Sequence, residues 1–255
     1  MTERLDRELV RRGLARSRSH AQAMINAGQV SVDGSVVERA GEQVAATAAI
    51  DAPHDHYVSR GSHKLIGALD DLQLSVAGRA LDAGASTGGF TQVLLARGCH
   101  EVIAVDVGSG QLAAVLRADP RVRLQERTNL RDLGLEDVGG VAVDLVVADV
   151  SFISLKLLVG PLISVTRDDG WILLLVKPQF EVGRELLGKG GVVRARADQL
   201  QAVSDVIKAA GEFGWHAVDA VPSRLLGASG NREFFVLLRR TESPPDLNLT
   251  ALVET

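Results

Sequence analysis

The sequence predicts an α/β protein in which a doubly wound parallel sheet follows a small N-terminal α+β unit. From Tyr57 onward, apolar runs of strand length alternate with helical patterns, which is typical of parallel strands joined by crossover helices. The first 53 residues instead show two helical patterns and then short alternating segments. We therefore expect an N-terminal domain at residues 1–53, a linker at 54–60, a main domain at 61–241 and a flexible tail at 242–255.

The N-terminal unit takes its elements from apolar spacing and turn residues. Leu5, Leu9 and Leu14 mark one face of a first helix, which Gly13 ends. A second helix is expected at 21–27. Asp33-Gly34 is a hairpin signal between short strand segments.

The sequence of the main domain predicts alternating strands and helices, and the strands are expected to form one sheet. Its last strands are followed by a tail with no clear pattern. The predicted strands are 79–82, 101–106, 122–125, 145–149, 172–177, 217–221 and 234–238, and the predicted helices are 89–97, 111–117 and 198–213.

Composition narrows the class of protein. The longest apolar run, Trp171 to Val176, is much shorter than the ~18 residues that a membrane span needs. Cys99 is the single cysteine, so neither a disulfide within the chain nor a cysteine-based zinc site is expected. The histidines show no metal-ligand spacing, and we predict no metal and no membrane association. A cytoplasmic location is the expectation.

A glycine-rich segment, DAGASTGGFT from Asp82 to Thr91, lies where a strand meets a helix, so its free amides face a ligand. It lacks the lysine of a triphosphate-binding loop, and Asp82 would repel a pyrophosphate, which favours a cationic cofactor. Asp106 ends the next strand, where a carboxylate commonly binds a ribose diol. These features indicate S-adenosyl-L-methionine; the alternative is a merely tight turn with Asp106 as a helix cap. The predicted cofactor-binding residues are Asp82, Gly84, Ser86, Thr87, Gly88, Gly89, Phe90, Asp106 and Val107, with Asn129 and Asp132 as candidates for the adenine end.

Five segments carry a family resemblance: RLDRELVRRGLARSRSHA, DAGASTGGF, VVADVSFISL, LLLVKPQFEVG and SGNREFF. They resemble the TlyA family of ribosomal RNA methyltransferases, from about residue 3 to 240. The resemblance implies an S4-like RNA-binding domain followed by a Rossmann-like, FtsJ-like methyltransferase domain. The implied reaction is methylation of the 2'-hydroxyl of cytidine in 16S ribosomal RNA, 23S ribosomal RNA or both. One departure is Asp55-His56-Tyr57-Val58, where the family often has arginine, any residue, tryptophan and valine.

The resemblance also implies a catalytic set of Lys64, Asp149, Lys177 and Glu233. Independently of it, Asp149 and Lys177 follow predicted parallel strands at the edge where ligands bind. A ribose hydroxyl is too weak an acid to attack unaided, so we assign Lys177 as the general base. Lys64 is assigned to the substrate and to developing oxyanion charge, and the carboxylates to orientation. The alternative is two unrelated surface salt bridges.

Arginines are expected to bind RNA phosphates, although the net charge of the chain is −4. Phe, Tyr and Trp are absent from residues 1–53, which favours recognition of folded RNA by shape and backbone. The expected partner is ribosomal RNA within ribosomal subunits, bound by a monomer. The predicted RNA-binding residues are Arg4, Arg7, Arg11, Arg18, Arg39, Arg127 and Arg131.

Two rival functions come from other classes. A membrane-active haemolysin would need an apolar span or a strongly amphipathic surface helix, and the sequence shows neither. An RNA-binding assembly factor without catalysis would be indicated by loss of Lys177, Asp149 or the glycines, all of which are present. The methyltransferase interpretation is therefore preferred.

Overall fold

The computed structural model describes residues 2–15, 17–53, 56–227 and 229–254, apart from the side chain of Arg184. The chain divides into two compact units, Met1–Val58 and Ser59–Thr255. His54 and Asp55 of the expected linker lie outside the described residues, as does Thr255 of the expected tail.

The first unit packs two helices against short antiparallel strands. Leu5 and Leu9 are fully buried in its core, as the apolar spacing predicts, and Ile25 of the second helix is buried with them. The Ser17 hydroxyl accepts a hydrogen bond from the His20 amide and so caps the second helix. One sheet pairs β1 with β4, and a second has the order β3-β2-β5. The elements are β1 (Thr2–Arg4), α1 (Leu5–Arg11), α2 (Arg18–Asn26), β2 (Ser31–Val32), β3 (Ser35–Val36), β4 (Gln43–Ala45) and β5 (Ile50–Asp51).

The second unit is a seven-stranded sheet with helices on its faces. Its central strands are buried along nearly their whole length, which explains why they read as continuous apolar runs. The strands are β6 (Gly78–Ala83), β7 (Cys99–Val105), β8 (Val122–Gln125), β9 (Val143–Ala148), β10 (Thr166–Val176), β11 (Trp215–Pro222) and β12 (Phe234–Arg240). The helices are α3 (Arg60–Asp71), α4 (Gly89–Arg97), α5 (Ala114–Arg117), α6 (Val159–Ser164), α7 (Pro178–Glu181), α8 (Arg196–Gly211) and α9 (Ala251–Glu254).

The strand order places a crevice at the centre of this sheet. The order is β11-β12-β10-β9-β6-β7-β8, and β12 runs antiparallel to the other six strands of this sheet. From β6 the chain builds outward through β7 and β8, and then returns to the other side of β6 with β9. The order therefore reverses between β6 and β9, and ligands bind at the carboxyl ends of strands at such a point.

The C-terminal segment packs on the core of the second unit, whereas the sequence predicts a flexible tail over 242–255. Leu252 and Val253 are buried in the main apolar cluster. The guanidinium of Arg232 donates hydrogen bonds to the carbonyls of both residues. A few apolar residues and one arginine therefore anchor the end of this segment to the core.

Candidate active site

A tight glycine turn joins β6 to α4. Gly84 has φ +88°, and a Cβ there would lie 2.6 Å from the carbonyl oxygen of Asp149. Gly88 has φ +96°, and a Cβ there would overlap the side chains of Leu112 and Leu116. Only glycine fits both positions, so the backbone of the turn approaches the end of β9 closely.

A cavity of about 540 Å³ lies beside this turn and is called the glycine-turn cavity. Asp106, at the end of β7, forms part of its wall and accepts hydrogen bonds from the amides of Ser86 (2.8 Å) and Gly108 (2.7 Å). These bonds fix the carboxylate, which keeps further lone pairs for a ligand. The apolar part of the wall consists of Val107, Leu130, Val150, Phe152, Ile153 and Leu158.

A second cavity of about 280 Å³, called the lysine cavity, adjoins the first. The two share four lining residues, Gly84, Ser86, Asp149 and Ser151. The lysine cavity also contains Lys64 and Lys177 together with residues of the glycine turn. A ligand group in one cavity would therefore lie next to a group in the other.

Lys177 and Asp149 form an ion pair at the carboxyl ends of β10 and β9. The distance from Lys177 Nζ to Asp149 Oδ1 is 2.5 Å, and Nζ donates a hydrogen bond to Ser151 Oγ at 2.9 Å. Only 10% of the Lys177 side chain is exposed. Because the two strands are parallel neighbours, the ends at which these residues lie meet at one sheet edge.

Lys64 and Glu233 form a second pair. Lys64 lies on α3 and donates to Glu233 Oε2 at 2.6 Å, while Glu233 directly precedes β12 and is 3% exposed. Glu233 does not line the lysine cavity and contacts Lys64, which does. The four residues thus form two ion pairs that are largely buried, and three of the residues share one cavity.

An aromatic pair lies beside Lys177. Phe152 is 91% exposed and has φ +65°, a strained conformation for a residue other than glycine. Its ring centroid is 5.1 Å from that of Phe180, which lies 5.9 Å from Lys177 Nζ. Glu181 is buried and accepts bonds from the Ser154 hydroxyl and the Leu155 amide, which fastens the loop carrying Phe152 to α7. Burial also raises the pKa of Glu181.

Asp82 lies under the glycine turn, fully buried, and lines neither cavity. Its Oδ2 accepts a bond from the Thr91 hydroxyl at 2.6 Å, whereas Oδ1 has no partner among the described residues. Burial raises the pKa of Asp82 to about 7; the charges of Asp149 and Asp106 add to this, and Thr91 opposes it. This carboxyl therefore titrates near neutral pH.

The raised pKa of Asp82 makes stability depend on pH. Between about 4, the pKa of an unfolded aspartate, and about 7, the folded chain keeps a proton that the unfolded chain has lost. Stability attributable to Asp82 therefore falls as pH rises through that window. Asparagine does not titrate, so the Asp82→Asn variant lacks this loss of stability. We expect the melting temperature of the variant, measured by calorimetry relative to that of the unsubstituted protein, to rise between pH 5 and pH 8. A difference that stays constant with pH would contradict this.

The other sequence-predicted cofactor residues are distributed unevenly. Thr87, Gly89 and Phe90 line the lysine cavity, Val107 and Asn129 line the glycine-turn cavity, and Ser86 and Gly84 line both. Gly88 and Asp132 line neither, and Asp132 is exposed. Sequence reasoning missed several residues around the two cavities, for which distant contacts give no local signal: Ser59, Arg60, Gln111, Thr128, Ser151, Phe152, Glu181 and Leu226.

Carboxylates hold several of the predicted RNA-binding arginines. Asp6, with no exposed surface, accepts bonds from Arg4 and Arg18, and these guanidiniums hold its pKa well below the usual range. Glu8, also buried, binds Arg11, and its pKa is lowered to about 2. Arg7 is 3.6 Å from Glu3, whereas the exposed Arg39, Arg127 and Arg131 have no ion-pair partner in the described part of the chain.

Comparisons with known proteins fit this arrangement. The family model described as FtsJ-like methyltransferase matches residues 57–240, and the model described as S4 domain matches residues 3–50. The chain is 52% identical over 240 residues to the 16S/23S rRNA (cytidine-2'-O)-methyltransferase TlyA of Mycobacterium tuberculosis, across 92% of this chain and 89% of that protein. The chain belongs to the TlyA group of FtsJ-like methyltransferases.

This FtsJ-like methyltransferase has other relatives that carry a different name. It is 37% identical to Hemolysin A of Brachyspira hyodysenteriae, across 91% of this chain and 97% of that one. A hemolysin-named structure from Streptococcus thermophilus matches with a TM-score of 0.78 and 36% identity, covering 99% of this chain and 94% of the other. The predicted fold class and family are confirmed. Within the described residues, every helix is too short or too polar to cross a membrane.

Proposed function

We propose that this protein transfers a methyl group from S-adenosylmethionine to the 2'-hydroxyl of cytidine in 16S or 23S ribosomal RNA. The observation that carries the proposal is the adjacency of the two cavities. One offers an apolar wall and a fixed carboxylate, and the other contains Lys64, Asp149 and Lys177. The close TlyA relative, which is named for this reaction, supports the substrate class.

The residues of the glycine-turn cavity fit the cofactor. Asp106 would accept hydrogen bonds from the ribose diol, and the apolar wall would bind the flat adenine. Because the glycine turn has no side chains at Gly84 and Gly88, its backbone would leave room for the amino-acid end of the cofactor towards the lysine cavity. When bound, S-adenosylmethionine supplies an electrophilic methyl group on a sulfonium centre.

Lys177 is assigned as the general base that takes the proton of the 2'-hydroxyl. A lysine can accept a proton only as the neutral amine, and Asp149 is the nearest acceptor for the proton that it must first lose. Ser151 and Asp149 together fix the direction of the amine. Limited exposure of this side chain keeps bulk water from competing for the hydroxyl.

Lys64 is assigned to the hydroxyl oxygen itself. Its ammonium faces the lysine cavity, where a positive charge stabilises the negative charge that develops on the attacking oxygen. Glu233 holds Lys64 from behind and is a positioning residue. The two lysines thereby have different roles, one as acceptor of the proton and one as a fixed charge.

The aromatic pair is suited to the base of the target nucleotide. Phe152 presents almost its whole ring to solvent at the wall of the glycine-turn cavity, and Phe180 supports it from one side. Stacking of a nucleobase on an aromatic ring is worth about 1–3 kcal/mol. Stacking would also explain why a strained backbone conformation is kept at Phe152.

Phe152→Ala should therefore raise the KM for RNA by roughly 10-fold, the equivalent of about 1.4 kcal/mol, while cofactor affinity stays unchanged. Steady-state kinetics with ribosomal subunits measure the first quantity and calorimetry the second. The matched control is Phe213→Ala, because Phe213 is also an exposed phenylalanine and lines neither cavity. Equal KM values for the two variants would show that Phe152 does not bind the base.

The N-terminal S4 domain is assigned to ribosomal RNA, and the protein is proposed to act as a cytoplasmic monomer on ribosomal subunits. Arg4, Arg11 and Arg18, held by Asp6 or Glu8, keep between 39% and 63% of their side-chain surface exposed while their positions are fixed. Preorganised arginines lose less side-chain entropy when they bind phosphates. This supports recognition of a folded RNA surface.

The proposal is tested by transfer of radiolabelled methyl from S-adenosylmethionine to purified small subunits, large subunits and protein-free ribosomal RNA. We expect transfer to at least one subunit, at a single nucleotide whose 3' phosphodiester resists alkali, because a 2'-O-methyl group blocks alkaline cleavage. Absence of transfer to all three substrates, with calorimetry showing bound cofactor, would favour an assembly factor over an enzyme.

A further inference from the structure

A loop of the methyltransferase unit lies at the same sheet edge as the catalytic residues. Residues 187–196, here called the basic loop, connect the segment after α7 to the start of α8. Asn231 lies two residues before Glu233 and is 2% exposed. Its Oδ1 accepts a bond from the Val193 amide at 2.9 Å, and its Nδ2 donates to the Gly191 carbonyl at 2.9 Å. The basic loop is thus tied to the segment that positions Lys64.

The register of the sheet places these contacts beside Lys177. Phe234, the first residue of β12, pairs with Val176 of β10. Asn231 and Lys177 therefore both flank the carboxyl edge of the parallel strands. The basic loop, bound to Asn231, lies at this edge as well.

The basic loop has a defined internal structure. The Gly188 amide donates to the Val192 carbonyl at 3.1 Å, which closes a turn with Lys189 near its tip. The Gln199 side chain donates to the Val193 carbonyl at 2.8 Å, and Val193 is buried. The loop is therefore held at its base and presents its tip outward.

Three exposed cations lie on the basic loop: Lys189, Arg194 and Arg196. The loop contains no acidic residue, and within the described part of the chain none of the three has an ion-pair partner. Arg196 is the first residue of α8, where a cation is unfavourable to the helix dipole. These charges therefore do not serve local stability, unlike the N-terminal arginines, which pair with Asp6 and Glu8.

We propose that the basic loop is a second RNA-binding surface, which contacts backbone phosphates next to the target nucleotide, and that Asn231 is the residue that positions it. The inference rests on the proposed function, since it assumes an RNA substrate at the lysine cavity. The basic loop would bind RNA through the attraction between its unpaired cations and phosphodiester oxygens. The loop adds affinity through charge, and it leaves the chemical step to Lys177.

The first test removes the three charges together in the full chain, as Lys189→Ala, Arg194→Ala and Arg196→Ala. The control removes three cations from the opposite edge of the sheet or the far end of α8: Arg121→Ala, Lys208→Ala and Arg240→Ala. Binding of protein-free ribosomal RNA is measured over a range of salt concentrations. Each lost phosphate contact should reduce the slope of log K against log salt by about 0.9, so the loop variant should lose about 2 to 3 units of slope and at least roughly 10-fold in affinity.

The second test addresses Asn231. Asn231→Asp keeps the acceptor for the Val193 amide but replaces the donor to the Gly191 carbonyl with an oxygen. We expect faster hydrogen exchange in residues 188–194 and a higher KM for RNA, with cofactor affinity unchanged. The inference would be overturned if the triple loop variant had the same salt slope and RNA affinity as the control variant. It would also be overturned if the loop and Asn231 variants both lost kcat without a change of KM. Failure of the unsubstituted protein to methylate any RNA would instead refute the proposed function, which the binding data alone do not test.

Discussion

Replacement of Lys177 by alanine is expected to reduce methyl transfer to RNA by about 10²–10⁴-fold, the usual contribution of a general base. The substitution removes the group that would accept the hydroxyl proton and leaves Asp149 without its cation. The glycine-turn cavity keeps all its lining residues because Lys177 is not one of them, so cofactor affinity should change little. Single-turnover transfer to ribosomal subunits measures the first effect, and calorimetric titration with S-adenosylmethionine measures the second.

The control for this variant is Lys208→Ala, since Lys208 is an exposed lysine on α8 remote from both cavities. Lys177→Arg is a useful companion, because arginine restores the positive charge and cannot act as a base at neutral pH. We expect the arginine variant to be as inactive as the alanine variant. Recovery of activity with arginine would mean that Lys177 contributes charge and that the base lies elsewhere.

The second large effect is expected at the cofactor. Asp106→Ala should weaken S-adenosylmethionine binding by about 100-fold, because two hydrogen bonds from the ribose diol to a charged group are worth about 3 kcal/mol together. The substitution also leaves the amides of Ser86 and Gly108 without an acceptor, which loosens the glycine turn. Calorimetry on the full chain gives the dissociation constant without any need for RNA.

Glu126→Ala separates these two causes. Glu126 accepts a bond from the Gly110 amide in the same segment, yet it lines neither cavity. Loss of the Glu126 carboxylate should loosen this backbone segment and leave the affinity for S-adenosylmethionine nearly unchanged. Equal losses of cofactor affinity in the Asp106 and Glu126 variants would show that Asp106 acts only on the backbone. This would contradict the assignment of Asp106 to the ribose diol.

The central strands and the glycine turn could be predicted because their signals are local. A run of apolar residues that ends in Asp149 or Lys177 identifies both a buried strand and the edge at which it stops. In contrast, no local pattern predicts α3, although it carries Lys64. Gly61 and Gly67 are poor helix formers, and the helix is stabilised mainly by packing of its buried face.

The missed parts of the candidate site depend on contacts between distant residues. Glu181, on α7 after β10, accepts hydrogen bonds from Ser154 and Leu155, and nothing in the spacing of these residues indicates that contact. In the same way, the arginine spacing of the N-terminal unit indicates a basic face but does not reveal that Asp6 and Glu8 are buried beneath it. Sequence patterns place residues on elements, whereas the partners of buried charges follow only from the tertiary structure.

The position of the transferred methyl group tests the central claim most directly. Ribosomal RNA incubated with the protein and S-adenosylmethionine is digested to nucleosides and analysed by mass spectrometry against standards, beside RNA incubated with the Lys177→Ala variant. We expect 2'-O-methylcytidine to appear only with the unsubstituted protein. Methyl groups on the cytosine ring, or on a nucleoside other than cytidine, would contradict the assignment of Lys177 to a cytidine 2'-hydroxyl.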